Sequence, residues 1–175
     1  MSASPPFAYR VPLLPATTRL HLDLGPPVRS DPVPVVTYRA PLVLHLIRPD
    51  GGHREAEFRL DTGAGMSVMS LSRADRLGVR IGNRRGKVKL TTAADERYED
   101  VVVGAIKARF PGSDRLFLWD CLFVVNRPDP APCLLGLKDV VPSLRITVDR
   151  TRLPGMPDGS ILFEDYPSPA PPPAG

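Results

Sequence analysis

Residues 54–60 alternate cleanly between two chemistries: Ala56, Phe58 and Leu60 fall on one face, Glu55, Glu57 and Arg59 on the other. Successive side chains of a strand point to opposite faces, so this period marks a half-buried antiparallel strand. Upstream, residues 42–47 read LVLHLI, rich in strand formers, and Pro49-Asp50-Gly51-Gly52 is a strong turn signal. Together they predict a hairpin, and the hairpin runs directly into Asp61-Thr62-Gly63-Ala64. A carboxylate that follows a strand inside a tight glycine-containing turn is rigidly held, as an acid or base catalyst must be. The element occurs once. Carboxylates that activate water unaided work as a pair sharing a proton, so the single copy matters for everything that follows.

The rest of the chain also reads as β in short pieces. After the turn, Ser72 and Asp75 have the spacing of a capping box, and Leu71, Ala74 and Leu77 form one apolar helical face stopped by Gly78. Strands are predicted over 87–91, 101–106 and 116–125, the last interrupted by Asp120, with the polar 92–100 segment as the tip of a second hairpin. A rigid proline loop over 126–132 leads into Cys133-Leu134-Leu135-Gly136, and 137–141 make one helical turn stopped by Pro142. Residues 145–148 and 161–164 are terminal strands separated by turns at Pro154-Gly155 and Pro157-Asp158-Gly159. No internal repeat is visible, and the expected fold class is mainly β with one or two short helices.

Composition bounds the rest. A chain of 175 residues makes one core but not a two-lobed enzyme. Its 22 prolines concentrate at the ends, which predicts an extended or disordered Pro-rich N-terminal arm over 1–34, a folded domain over 35–166 and a Pro-rich disordered tail over 167–175. The net charge of +4 is spread thinly; the one local cluster, Arg84, Arg85, Lys87 and Lys89, reads as a solvated loop beside a strand, and nucleic-acid binding would need a broader patch with aromatics. No signal peptide or membrane-length apolar run is evident, so a cytoplasmic protein without a membrane partner is expected. Cys121 and Cys133 have no Cys- or His-rich neighbourhood, which argues against a metal; they read as two reduced, partly buried thiols, with a disulfide left open if they sit on neighbouring strands. His21, His45 and His53 are dispersed and read as packed or edge residues.

Residues 60–64, Leu-Asp-Thr-Gly-Ala, with Ser67 and Leu71 behind them, resemble the active-site signature of retropepsin-like aspartic proteases, the single-domain family typified by retroviral proteases. That family's second hallmark, two apolar residues then Gly and a short helix, is matched by Leu134-Leu135-Gly136 followed by 137–141. The resemblance covers roughly residues 41–149. It implies a closed, barrel-like acid-protease domain that forms a two-fold homodimer, since one chain carries only one of the two motifs of a bilobed enzyme. It implies an aspartic endopeptidase acting on extended peptide or protein substrates, without metal or other cofactor. Asp61 from each chain would form the dyad, the Thr62 hydroxyl would tie the two active-site turns together, and Gly63 would bring its N–H near the carboxylates. Ala64, Gly65 and Leu135 would contribute to substrate binding, and Thr92, Ala93 and Ala94 would form the tip of a flap that closes over the substrate. The family's pairing through terminal strands would involve 145–148 and 161–164, or 18–24.

Two departures are visible. Many retroviral members carry an Asp after the tetrapeptide and an Arg after the downstream Gly, which pair; here these positions are Gly65 and Leu137. Their joint absence leaves no lone buried charge and implies a different supporting contact. The flap region 91–100 contains no Gly. Two other functions compete with catalysis. One is a non-catalytic retropepsin-like module that dimerises and binds peptides, although such a role has no need of Asp61. The other is an adaptor that recruits partners through its Pro-rich arms.

Overall fold

A computed structural model describes residues 6–20, 33–61, 63–91, 96–126 and 133–166. The chain enters through β1 (Ala8–Pro12) and the hairpin of β2 (Leu14–Leu20) and β3 (Val33–Arg39), then β4 (Pro41–Ile47) and β5 (His53–Leu60). Next come β6 (Ser67–Ser70), α1 (Leu71–Leu77), β7 (Arg84–Thr91), β8 (Glu96–Arg109) and β9 (Phe117–Val124). The chain closes with β10 (Cys133–Leu135), α2 (Leu137–Ser143), β11 (Arg145–Asp149) and β12 (Ser160–Glu164).

Six of these strands form a closed barrel in the order β4-β5-β10-β6-β9-β8, with β8 returning to β4 at His45↔Arg109 and Leu46↔Ala108. The alternation in the sequence sets the inner wall: Leu42, Leu44 and Leu46 of β4 and Ala56 and Phe58 of β5 are buried, while Glu55, Glu57 and Arg59 face out. The β4–β5 turn is closed by Arg48 N–H donating to Gly52 O (2.8 Å) and Gly51 N–H to Arg48 O (3.0 Å); Gly51 has φ 84, which favours glycine. The barrel is filled by Trp119, Phe58, Phe110 and Phe123, each nearly devoid of solvent contact. Burial of each such side chain stabilises the fold by about 2–3 kcal/mol before entropy is subtracted.

The core begins earlier than residue 35. β1 pairs with β12 in a three-stranded sheet, β1-β12-β11, and Val11 and Leu13 are buried. Phe7 packs on Phe110 with ring centroids 5.0 Å apart, and Phe110 packs on Phe163 at 5.4 Å. The predicted N-terminal arm is therefore partly core, because Tyr9, Val11 and Leu13 supply an alternating apolar face that the flanking prolines obscured. Prolines tolerate an edge position, and β1 is an edge strand. Segment 18–24, expected to pair between subunits, is accounted for within the chain as far as residue 20, since Thr18 pairs with Val35 across the β2–β3 hairpin. Residues 1–5, 21–32 and 167–175 lie outside the described residues.

Three local expectations are corrected. The N-cap of α1 is Ser70, whose hydroxyl accepts from Arg73 N–H (3.2 Å), and not Ser72. The helix does end at Gly78 in the left-handed conformation (φ 66). Pro142 lies inside α2, which continues to Ser143 and ends where Leu144 turns extended. Arg84, Arg85, Lys87 and Lys89 are strand residues of β7, paired with β8 beyond the barrel, where both faces see water and polarity on both is tolerated. Cys121 and Cys133 are both buried and form no disulfide. They are not on neighbouring strands: β6 lies between β9 and β10, so two inter-strand spacings, about 9–10 Å, separate their backbones. A disulfide needs Cα atoms within about 7 Å.

Candidate active site

Asp61 leaves the end of β5 at the point where β10 runs parallel beside it, with Leu135 opposite Leu60. Leu135 O accepts the Asp61 N–H at 3.0 Å, so the strand ladder extends one residue into the turn. Inside the turn, Asp61 Oδ1 accepts the Gly63 N–H (2.9 Å) and Asp61 O accepts the Ala64 N–H (3.2 Å). This is the local side-chain-to-backbone pattern that Asp supports in turns. The carboxylate is half-buried, and among the described residues its second oxygen accepts no hydrogen bond. One oxygen is thus fixed within the turn, and among the described residues the other is left for a water or a proton.

The turn is then locked to the start of α2. Leu137 N–H donates to Ala64 O (2.9 Å), Lys138 N–H to Gly65 O (2.8 Å), and Gly136 N–H to the Ser67 hydroxyl (3.2 Å). The first N–H groups of a helix have no partner within it. Gly136, the N-cap, offers no side chain to satisfy them, and the carbonyls of the Asp61 turn take that place. The fit leaves no room at Gly136: a Cβ there would lie 2.5 Å from Met66 O and 2.8 Å from Gly65 O, both backbone atoms. The family ion pair missing at Gly65 and Leu137 is thus replaced by main-chain bonds made by the same two residues and their neighbours. An ion pair between Lys138 Nζ and Asp120 (2.6 Å) ties this first turn of α2 to β9.

Of the residues singled out in the sequence, Asp61, Gly63, Ala64 and Gly65 come together in this one turn, with Gly63 and Gly65 exposed. Leu135 does not join them at the surface: its side chain is fully buried in the core, and its contribution is the carbonyl that holds Asp61. A residue inward-facing on a three-residue barrel strand cannot also line an outer groove. Thr62, Thr92, Ala93 and Ala94 lie outside the described residues; the hairpin that carries the last three is paired up to Thr91↔Glu96. Sequence reasoning gave no role to Ser67, Leu137 N–H or the Lys138–Asp120 pair. The available signal for the first two was the helix start at Leu137, whose free donors demanded acceptors. Beside the turn lies a cavity of about 780 Å³ whose wall includes Leu60, Tyr38, Leu137, Val141 and Ile146. Tyr38, Val141 and the nearby Val36 and Val148 expose much of their apolar surface.

The Cys121 thiol is not suited to chemistry, since burial pushes it well above its ordinary value and the neighbouring Cys133 adds to that. Among the described residues no group of three or more His, Cys, Asp or Glu side chains is placed to hold a metal ion. No helix among them is long and apolar enough to cross a membrane.

A closed six-stranded barrel with a carboxylate turn clamped by an apolar-apolar-Gly strand end and helix has the architecture expected of a retropepsin-like domain. The chain belongs to the gag-polyprotein putative aspartyl protease family, whose profile matches residues 51–138, just over half of its length. Both Asp61 and Gly136 fall inside the matched region. No curated protein matches the chain. It is similar to the crystal structure of a retropepsin-like aspartic protease from Rickettsia conorii, at 10% identity over 94% of this chain and 98% of that one, with a TM-score of 0.46.

Proposed function

We propose that this protein is an aspartic endopeptidase whose dyad is assembled from Asp61 of two copies at a homodimer interface. The observation that carries this reading is the single Asp61, clamped at both ends of its turn with one carboxylate oxygen held and the other open. The exposed apolar side chains beside the turn, Tyr38, Val141 and Val148, are of the kind a second copy would cover.

The mechanism follows from the pair. Two carboxylates about 3 Å apart cannot both ionise, so the dyad shares one proton and its pKa values belong to the pair. The ionised carboxylate takes a proton from a water between them, and the water oxygen attacks the scissile carbonyl carbon. The protonated carboxylate hydrogen-bonds the carbonyl oxygen and transfers its proton to it as the tetrahedral intermediate forms. A dyad proton then passes to the leaving amine as the C–N bond breaks. In this reading Thr62 joins the two turns, Gly63 supplies an N–H beside the carboxylates, Ala64 and Gly65 line the groove, and Thr92, Ala93 and Ala94 close over an extended substrate.

The test is digestion of a peptide library and of a denatured protein by wild type and Asp61→Asn, with sedimentation of both. The expectation is a fall in cleavage of at least about 10²-fold for Asp61→Asn, with the wild type active as a dimer. Undiminished cleavage by the variant, or an active protein that stays monomeric with a bound peptide inhibitor, would refute the shared dyad. A dimer that binds peptides and never cleaves them would identify a binding module instead.

A further inference from the structure

The longest strand of the barrel is only partly covered. On one side β9 pairs with β8 without a break from Val101 to Ala108. On the other, β7 covers 96–103 and β4 covers Ala108 and Arg109. Among the described residues, 105–107 thus have no strand paired at this edge, while the Gly82 backbone lies against Gly104. This edge opens into a cavity of about 570 Å³. It lies at the end of β5 opposite Asp61, roughly 25 Å away along a strand of eight residues.

The walls of this cavity have a definite chemistry. Ile47, Val79, Ile81, Ala105 and the 71%-exposed Leu118 make an apolar floor. Arg48, Arg80 and Lys107 supply three cations, and among the described residues no acidic side chain lines the space. Arg48 is paired with Asp50 at 3.0 Å, but among the described residues Arg80 and Lys107 enter no ion pair. One wall depends on two glycines. Gly82 and Gly104 approach backbone to backbone, and a Cβ on Gly104 would come within 2.8 Å of Gly82 N. That approach seats the Gly82 backbone against Gly104 at one end of the edge, and Val79, Arg80 and Ile81 line the cavity beyond it.

We propose that this edge is a docking site for an extended peptide segment of another protein, one that carries acidic side chains around a single apolar anchor. An exposed strand edge offers N–H and C=O groups on alternate residues, which another extended backbone matches in full. The apolar floor accepts one side chain of such a segment, and the unpaired Arg80 and Lys107 select carboxylates beside it. Nucleic acid would match the charge but not the site, which has no aromatic platform for bases. The site is separate from Asp61 and does not depend on the proposed catalysis.

The test uses the full chain carrying Asp61→Asn, so that no probe is cut, and a fluorescein-labelled EDLSEE peptide with KKLSKK as its counterpart. Saturable anisotropy is expected for the acidic probe alone, weakening with added salt. Arg80→Glu with Lys107→Glu should weaken it on the order of tenfold or more. Both side chains are exposed, so the double variant should keep its fold, and circular dichroism checks this. A probe N-methylated at alternate residues should lose binding with the protein itself unaltered, and amide shifts should map to 105–107. No saturable binding, equal binding of both probes, indifference to the double reversal, or shifts confined to 61–65 would each overturn the proposal.

Discussion

Replacing Gly136 by Ala tests the clamp at the point where it is tightest. The added carbon would sit 2.5 Å from Met66 O and 2.8 Å from Gly65 O, whereas carbon contacts ordinarily begin at about 3.5 Å. Neither neighbour is the far end of a flexible side chain, so relief requires moving the backbone of 65–66 or of 136. Either movement stretches the bonds from Leu137 N–H to Ala64 O and from Lys138 N–H to Gly65 O. Overpacking of this kind costs about 1–3 kcal/mol and each of the two weakened main-chain bonds up to about 1 kcal/mol, so the total is about 1–5 kcal/mol. For a domain of this size the fall in Tm is then roughly 2–20 °C. Gly65→Ala is the matched control: it lies in the same turn, has no heavy atom within 4 Å of its added carbon, and should change stability by less than about 0.5 kcal/mol. Urea unfolding followed through Trp119, the sole tryptophan and a buried one, reads both variants against wild type. A Gly136→Ala midpoint equal to that of Gly65→Ala, with the same dependence on urea, would refute the reasoning.

Ser70→Ala removes the buried hydroxyl that accepts from Arg73 N–H at the start of α1, and should cost about 1 kcal/mol in urea unfolding. Ser72→Ala should cost less than about 0.5 kcal/mol, and the reverse order would return the cap to Ser72. Asp149 is held at about 2 by hydrogen bonds from Thr151 and then from Arg10, the latter reaching from β1. A depressed carboxylate stabilises the fold above its unfolded value of about 3.9, and that contribution is lost as pH falls toward the folded value. Acid titration of wild type should therefore show stability falling more steeply between about pH 4 and 2 than in Asp149→Asn. Equal slopes would exclude this carboxylate as a link between β1 and β11.

The sequence was most legible where one residue type served one purpose. The alternation of 54–60 located β5, and the glycines at 51 and 78 located a turn and a helix stop, because their backbone conformations exclude most other residues. It was least legible where two readings used the same letters. Ser70 and Ser72 are both fit to cap, and the choice was made by β6, whose four buried residues carry Ser70 to the helix start. Phe7 and Tyr9 sit among prolines, so local stiffness masked an apolar face whose partner, Phe110, lies about 100 residues away in sequence. Leu135 belongs to a short motif next to the proposed catalytic turn, and that proximity suggested substrate contact. Its inward direction is a property of the closed barrel, which no local spacing reveals.

The absence of charge at Gly65 and Leu137 acquires a physical meaning from this geometry. A buried ion pair at such a site must offset the desolvation of both partners, and losing either partner leaves an uncompensated charge. Main-chain bonds between 64–65 and 137–138 carry no such liability and do not titrate. They also bind two elements that are weak alone. A helix of seven residues is too short to form by itself, and a turn that projects a carboxylate has little packing of its own. Here the turn caps the helix and the helix fixes the turn, so neither forms without the other. Such mutual dependence makes the position of Asp61 a consequence of folding the barrel end as a unit, with Gly136 as the residue that permits it.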